Sequence, residues 1–270
     1  GETVWQRYSG GESTPAAQGF AMAITLTWIG HATWLVDTGA GVLLIDPFFD
    51  ECPTASMRAR DVACDAILVT HAHFDHIADL VAVAKRTRAP VLCNWEIGQW
   101  LGGQGVETAR AMNLGGSMPV PGGTAKMEIA HHSSSFPDGT YGGSPAGWVL
   151  DVGGVRAYFA GDTGLFSDME RIGRRKSDGR GIDVAVLPIG DVFTMGPDDA
   201  LQAVRMLAPQ VVLPSHYNTW PPIQQDAAAW ARRVGAETGA DARVLVPGDR
   251  VLIEVVADVS GGQADSSRHR

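Results

Sequence analysis

The residues of this chain that could do chemistry gather in one hexapeptide, His71-Ala72-His73-Phe74-Asp75-His76, which offers four potential ligands in six positions. It follows the apolar run Ala66-Ile67-Leu68-Val69-Thr70, which reads as a strand. Two imidazoles two residues apart on an extended strand end point to the same side and can chelate one ion. Asp75 and His76 open the next helix and can reach a second ion. Imidazole together with carboxylate suits zinc, manganese or iron. A lone histidine in a surface loop commonly serves hydrogen bonding alone, but this spacing matches a metal motif.

Completing two metal sites requires ligands from distant strands, and other apolar runs end in suitable residues. Val42-Leu43-Leu44-Ile45 ends in Asp46, Lys126-Met127-Glu128-Ile129-Ala130 in His131-His132, and Val155 to Ala160 in Gly161-Asp162. Val184 to Pro188 runs into Gly190-Asp191, and Val211 to Ser215 into His216. His132, Asp162 and His216 are the natural candidates. In open α/β sheets ligands sit at the carboxyl ends of strands, so side chains recurring there can converge on one edge. A first strand is expected over Ile24 to Ile29. Helical spacing covers Ile77 to Thr87, Trp95 to Leu101, Asp198 to Leu207 and Gln224 to Thr238. Strands followed by helices, twice over, predict an α/β protein of two halves packed face to face with helices outside.

These residues resemble the metallo-β-lactamase superfamily, whose motif H-x-H-x-D-H is followed by a His, an Asp and a His on later strands. The resemblance implies a four-layer αββα sandwich. It also implies two divalent metal ions, zinc or manganese: His71, His73 and His132 hold one, Asp75, His76 and His216 hold the other, and Asp162 bridges them. Asp46, in Ile45-Asp46-Pro47, looks like the family's earlier acidic position, which supports ligands from behind. A narrower likeness covers roughly Met22 to Ala257 and is to uncharacterised metal-dependent hydrolases related to ascorbate-6-phosphate lactonases. It is carried by Ile29-Gly30-His31-Ala32, Met112-Asn113-Leu114-Gly115-Gly116, Tyr141 to Gly147, Gly161-Asp162-Thr163-Gly164-Leu165 and His216-Tyr217-Asn218-Thr219-Trp220-Pro221.

Adjacent side chains of an extended run face opposite ways, so His131 and His132 do not both bind one metal; the family's ligand position falls on His132. His31 is expected to support a ligand or touch substrate, with a plain structural role equally open. The glycine-rich Tyr141 to Gly147 reads as a turn rather than an anion cradle. Asp191 and Trp220 are candidates for the pocket mouth, with core packing the simpler reading for Trp220.

The chain has 270 residues, 45% hydrophobic and 19% charged, which suits one globular domain, expected over residues 22–258. Residues 1–21 and 259–270 lack a core-forming pattern and are expected to be disordered tails, with Met22 as a natural start. Thirty acidic against 21 basic residues give a net charge of -9, which offers no basic field for nucleic acid. Cys52, Cys64 and Cys93 form no C-x-x-C pair, and no membrane span or leader is visible, so a cytoplasmic setting is expected. The expected partner is a small-molecule substrate; the resemblance also admits a homo-oligomer.

Divalent ions lower the pKa of bound water from 15.7 to about 7, so hydroxide can attack a carbonyl or phosphoryl centre while Asp75, the catalytic candidate, orients or shuttles the proton. No G-x-S-x-G nucleophile motif is present. The leading reactions are hydrolysis of a lactone or other ester, phosphorylated substrates included, then of a phosphodiester or β-lactam. The lactone rests on the resemblance alone. The rivals are an iron-dependent redox enzyme of the same fold and a non-catalytic metal-binding scaffold. The presence of both Asp75 and His76 opposes the first, and a ligand set leaving room for water opposes the second.

Overall fold

A computed structural model describes residues 22–174 and 181–255; the tails expected at 1–21 and 259–270 lie outside the described residues. The first sheet contains β1 (Met22–Gly30), β2 (Thr33–Asp37), β3 (Val42–Ile45), β4 (Ala66–Leu68), β5 (Val91–Asn94) and β6 (Ala109–Met112). The second contains β7 (Ser117–Val120), β8 (Gly123–Ile129), β9 (Ala146–Val152), β10 (Val155–Phe159), β11 (Val184–Pro188), β12 (Val211–Ser215) and β13 (Asp241–Ala242). The last strand, β14 (Arg250–Val255), returns to pair with β1, so each sheet has seven strands among the described residues. The helices are α1 (Phe74–Ile77), α2 (Leu80–Thr87), α3 (Trp95–Gly103), α4 (Met169–Gly173), α5 (Pro197–Leu207) and α6 (Ala227–Thr238).

The period-two alternation of the strands sorts their side chains into two cores. Leu43, Ile45, Ala66 and Leu68 face the second sheet, while Leu44, Ile67 and Val69 face the other way, onto Leu80 and Val83 of α2 and Ile97 and Leu101 of α3. Beyond the second sheet, Met169 of α4, Leu201 and Val204 of α5, and Trp230 of α6 close the far side. The layers are therefore helix, sheet, sheet, helix, the expected αββα sandwich. In each sheet an antiparallel half meets a parallel half, β3 to β6 in one and β10 to β13 in the other. The parallel strands need crossovers, and those crossovers supply most of the helices.

Pro197 at the first turn of α5, followed by Asp198 and Asp199, starts that helix one residue before the expected Asp198. The helix expected over Ile77 to Thr87 is broken instead. Asp79 leaves helical geometry, and its Oδ2 accepts hydrogen bonds from the backbone N–H groups of Phe49 (2.6 Å) and Asp50 (3.2 Å). The helix expected from Gln224 begins at Ala227, because Asp226 caps it by accepting from Ala229 N at 2.8 Å. Strands β2, β5, β6, β7, β9, β13 and β14 and helix α4 were not anticipated. Most of these strands end in turns or lead into a helix without delivering a polar side chain to the sheet edge.

Candidate functional site

The two sheets are stitched together where the polar strand ends emerge. Ala146 N donates to Thr70 O (3.0 Å), His216 N to His31 O (3.1 Å) and Trp34 Nε1 to Ser215 Oγ (3.2 Å). Glycine permits the close approach behind the hexapeptide: a Cβ on Gly142 would collide with the Cβ of Ala72, which lies between His71 and His73. The Tyr141 to Gly147 segment, expected as a turn, instead runs from a bridge between Tyr141 and Ser135 into the start of β9, its Gly142 and Ser144 carbonyls accepting from Asn94 Nδ2. His31, Asp46 and His216 each follow a strand with positive φ (51°, 47° and 52°), the sparsely populated left-handed region for residues other than glycine. Such conformations cost on the order of 1–3 kcal/mol each and persist where the surrounding structure imposes them.

Asp162 is the hub. Its Oδ2 lies 3.0 Å from His216 Nε2, 3.4 Å from His76 Nε2, 3.6 Å from His132 Nε2 and 3.9 Å from His71 Nε2. Asp75 Oδ2 stands 3.7 Å from His216 Nε2 and 3.8 Å from His76 Nε2. On the other flank His71 Nε2 is 2.9 Å from His73 Nδ1, and both rings lie edge-on to His132. The structure thus brings together all seven residues singled out as ligands. His131 faces away, exposed and stacked on Phe166 with ring centroids 4.8 Å apart.

Behind this cluster runs a hydrogen-bond chain that fixes the imidazole tautomers. Asp46 Oδ2 accepts from His76 Nδ1 (2.7 Å) and from Thr70 Oγ1 (2.6 Å), while Asp46 Oδ1 accepts from Thr70 N (2.8 Å). The single Thr70 hydroxyl proton being committed to Asp46, the contact of His71 Nδ1 with Thr70 Oγ1 at 3.0 Å has the imidazole as donor. With Nδ1 engaged behind the site, both His71 and His76 turn Nε2 towards it. Thr70 was not among the expected site residues, since a lone hydroxyl carries no spacing signal.

His31 completes a second chain, fully buried, with Nδ1 2.7 Å from Thr219 Oγ1 and Nε2 3.0 Å from Asp75 Oδ2. Its Nε2 lies among potential ligand atoms of Asp75, His76 and His216, yet both its ring nitrogens are already engaged. Of the two roles expected for it, the structure places it on Asp75 and away from the cavity. Burial, and then the neighbouring His216, lower its pKa to about 4, so it is neutral, as one donor and one acceptor require.

The electrostatics call for a cation. Burial opposes ionisation of Asp162, but His216 and His76 outweigh it and hold the carboxyl well below its ordinary range. Burial likewise opposes charge on His76, which Asp162, Asp46 and Asp75 nevertheless drive well above 6.5. His216, pulled by Asp162 against its burial, is pushed up to about 9. Among the described residues no Lys or Arg pairs with these carboxylates. His76 Nε2, Asp162 Oδ1 and both ring nitrogens of His216 are buried without a hydrogen-bond partner. Such atoms are costly unless something binds them. Ligands about 2.0–2.2 Å from a tetrahedral ion stand about 3.4 Å apart, which the observed separations bracket, so the donor set fits divalent metal.

The cluster opens into a cavity of about 930 Å³. Trp220 is half-buried and lines it, although core packing was the simpler expectation; Asp191 lies beside it, exposed, in the loop that carries the mouth residues Val192 and Phe193.

Residues 41–217 match the model of the beta-lactamase superfamily domain. A UPF0173 metal-dependent hydrolase of Thermus thermophilus is 47% identical over 231 residues, covering 86% of this chain and 100% of that protein. The chain belongs to the UPF0173 family of metal-dependent hydrolases. Igni18, described as a metallo hydrolase from Ignicoccus hospitalis, superposes with a TM-score of 0.77 at 34% identity, over 87% of this chain and 100% of that one. CmlA, a diiron beta-hydroxylase from Streptomyces venezuelae, shares the fold alone: TM-score 0.66 and 16% identity, over 86% of this chain and 54% of CmlA. For this UPF0173 member, family and geometry agree on a metal-dependent hydrolase. No helix among the described residues is long and apolar enough to cross a membrane.

Proposed function

We propose that the protein hydrolyses an ester, in the first place a lactone or other cyclic ester, using two divalent ions, zinc or manganese. His71, His73 and His132 would hold one ion and Asp75, His76 and His216 the other, with Asp162 shared. The observation that carries this reading is the single buried carboxylate oxygen, Asp162 Oδ2, set within 3.0–3.9 Å of four imidazole nitrogens. When bound, the ions supply Lewis acidity and lower the pKa of water to about 7.

The chain's own groups orient and exclude. Asp46 and Thr70 present His71 and His76 in one tautomer, and His31 holds Asp75 in place. Asp75 lines the cavity and has its carboxyl held low by His76, His216 and His31 against burial, so it is ionised at neutral pH and suited to hold an ion or orient a proton-bearing group there rather than to take the proton itself. A phosphodiester or β-lactam would meet the same groups. The free thiols Cys52, Cys64 and Cys93 suit a reducing, cytoplasmic setting.

The test is His73→Ala, with metal content measured by elemental analysis and turnover measured on lactones, phosphodiesters and β-lactams. The variant is expected to fold, to lose about one metal equivalent and to lose chelator-sensitive hydrolysis. Full activity in it would overturn the site, and iron without hydrolysis in the unaltered protein would move the reading to redox chemistry.

A further inference from the structure

Outside the metal cluster, the cavity wall is built from Phe74, Phe136, Val192, Phe193, Trp220 and Pro222, with Ser133 and Ser135 as its polar points. Among the described residues, none lining it is Lys or Arg. Phe74 and Trp220 stand 6.0 Å apart, centroid to centroid, on the Asp75 side. Val192 and Phe193 line the same cavity from the loop after β11, 65% and 56% exposed, and Phe74 is 47% exposed.

That loop is held out by its backbone. Asp191 and Val192 have φ of 64° and 56°, and for β-branched Val192 this is a conformation rarely adopted. The loop is pinned there by Asp191 N donating to Met195 O (3.0 Å) and Val192 N to Asp191 Oδ1 (2.7 Å). Large apolar side chains presented to solvent by a strained loop, at the mouth of a polar site, suggest a ligand that covers them.

We propose that the substrate is an uncharged ester or lactone carrying an aryl or medium-length alkyl arm, which packs against Phe193 and the Phe74–Trp220 pair. This rests on the hydrolase reading and narrows it. A phosphoryl group borne on the arm would meet aromatic faces, whose quadrupole is negative, with no Lys or Arg among the described residues that line the cavity, on a protein of net charge -9. In the reaction the acyl C–O bond breaks, water's oxygen bonds to the acyl carbon, and its protons pass to the alkoxide leaving group and to solvent. The products are an alcohol and a carboxylate, on one molecule when the substrate is a lactone.

Two measurements on the full chain test this. The zinc-loaded protein is assayed on p-nitrophenyl acetate, butyrate and hexanoate and on bis-p-nitrophenyl phosphate. Metal-free and loaded protein are both titrated with the neutral dye Nile red. The expected result is kcat/KM rising roughly tenfold or more from acetate to hexanoate, with that rise lost and dye affinity falling by a similar factor in Phe193→Asp. No dependence on chain length, faster turnover of the phosphodiester, or dye binding indifferent to Phe193→Asp would overturn the proposal. Dye binding lost in Phe193→Asp with none of the compounds hydrolysed would support the apolar site while overturning the hydrolase reading.

Discussion

His31 Nε2 lies 3.0 Å from Asp75 Oδ2, and the ring is held from its other side by Thr219 Oγ1 at 2.7 Å. The two contacts join residues far apart in the chain, and they fix which way the Asp75 carboxylate faces. Groups that orient a ligand typically change metal affinity by about 10–100-fold when removed. Thr219→Val, which keeps the shape but removes the hydroxyl, is therefore expected to weaken binding of one ion by about that factor and leave the other untouched. Calorimetric titration of zinc into chelated protein reads the two steps separately; unaltered affinities would show that Asp75 needs no such support.

Thr70 does for the hexapeptide what Thr219 does for Asp75, but it serves both ions. Its hydroxyl joins His71 Nδ1 to Asp46 Oδ2, the same oxygen that holds His76 Nδ1. Thr70→Val leaves His71 Nδ1 without its acceptor, whereas Thr70→Ser keeps it. The valine variant is expected to bind both ions about 10–100-fold more weakly, and the serine variant to recover most of that loss. Equal behaviour of the two would assign Thr70 a packing role only.

The ligands were legible in the sequence because they are either consecutive, as in His71 to His76, or placed where a strand runs out, as are His132, Asp162 and His216. The short apolar runs that end in them mark the strands that carry them. Strand β9 carries an equally apolar run, but it ends in the Gly153–Gly154 turn and brings no ligand type to the sheet edge. Asp79 broke a helix whose apolar spacing continued through it, because its carboxylate bonds to a loop 30 residues away that the spacing does not reveal. Thr70 and Thr219 were invisible for a related reason, since a threonine becomes part of a site only through what lies across the fold. The left-handed turns at His31, Asp46 and His216 are likewise imposed from outside the local sequence.

A pH effect separable from the metal site is expected at Glu128. Burial would raise its pKa, but hydrogen bonds from Arg171 Nη2 and Lys126 Nζ, each 2.6 Å, hold it below its ordinary 4.5. A depressed carboxyl contributes stability that is present above about 4.5 and lost as pH falls through the folded-state value. Glu128→Gln should therefore cost on the order of 1 kcal/mol at pH 7, because both cations are partly exposed, and should flatten the acid limb of the stability curve below about pH 4.5. Urea unfolding at several pH values measures this. Parallel acid limbs for the variant and the unaltered protein would count against it.

Metal removal should be felt well beyond the ligands, because His76 Nε2, Asp162 Oδ1 and the nitrogens of His216 are buried without a hydrogen-bond partner among the described residues. An ion that binds only the folded chain, present at a thousandfold excess over its Kd, adds about 4 kcal/mol. At roughly 2–4 °C per kcal/mol for a domain of this size, chelation is expected to lower Tm by about 8–16 °C, with recovery on adding zinc or manganese. Asp162→Asn takes the charge from the oxygen shared by the imidazoles, so its Tm should respond to chelator far less. A melting temperature indifferent to chelator in the unaltered protein would mean that these buried atoms are satisfied by something other than metal.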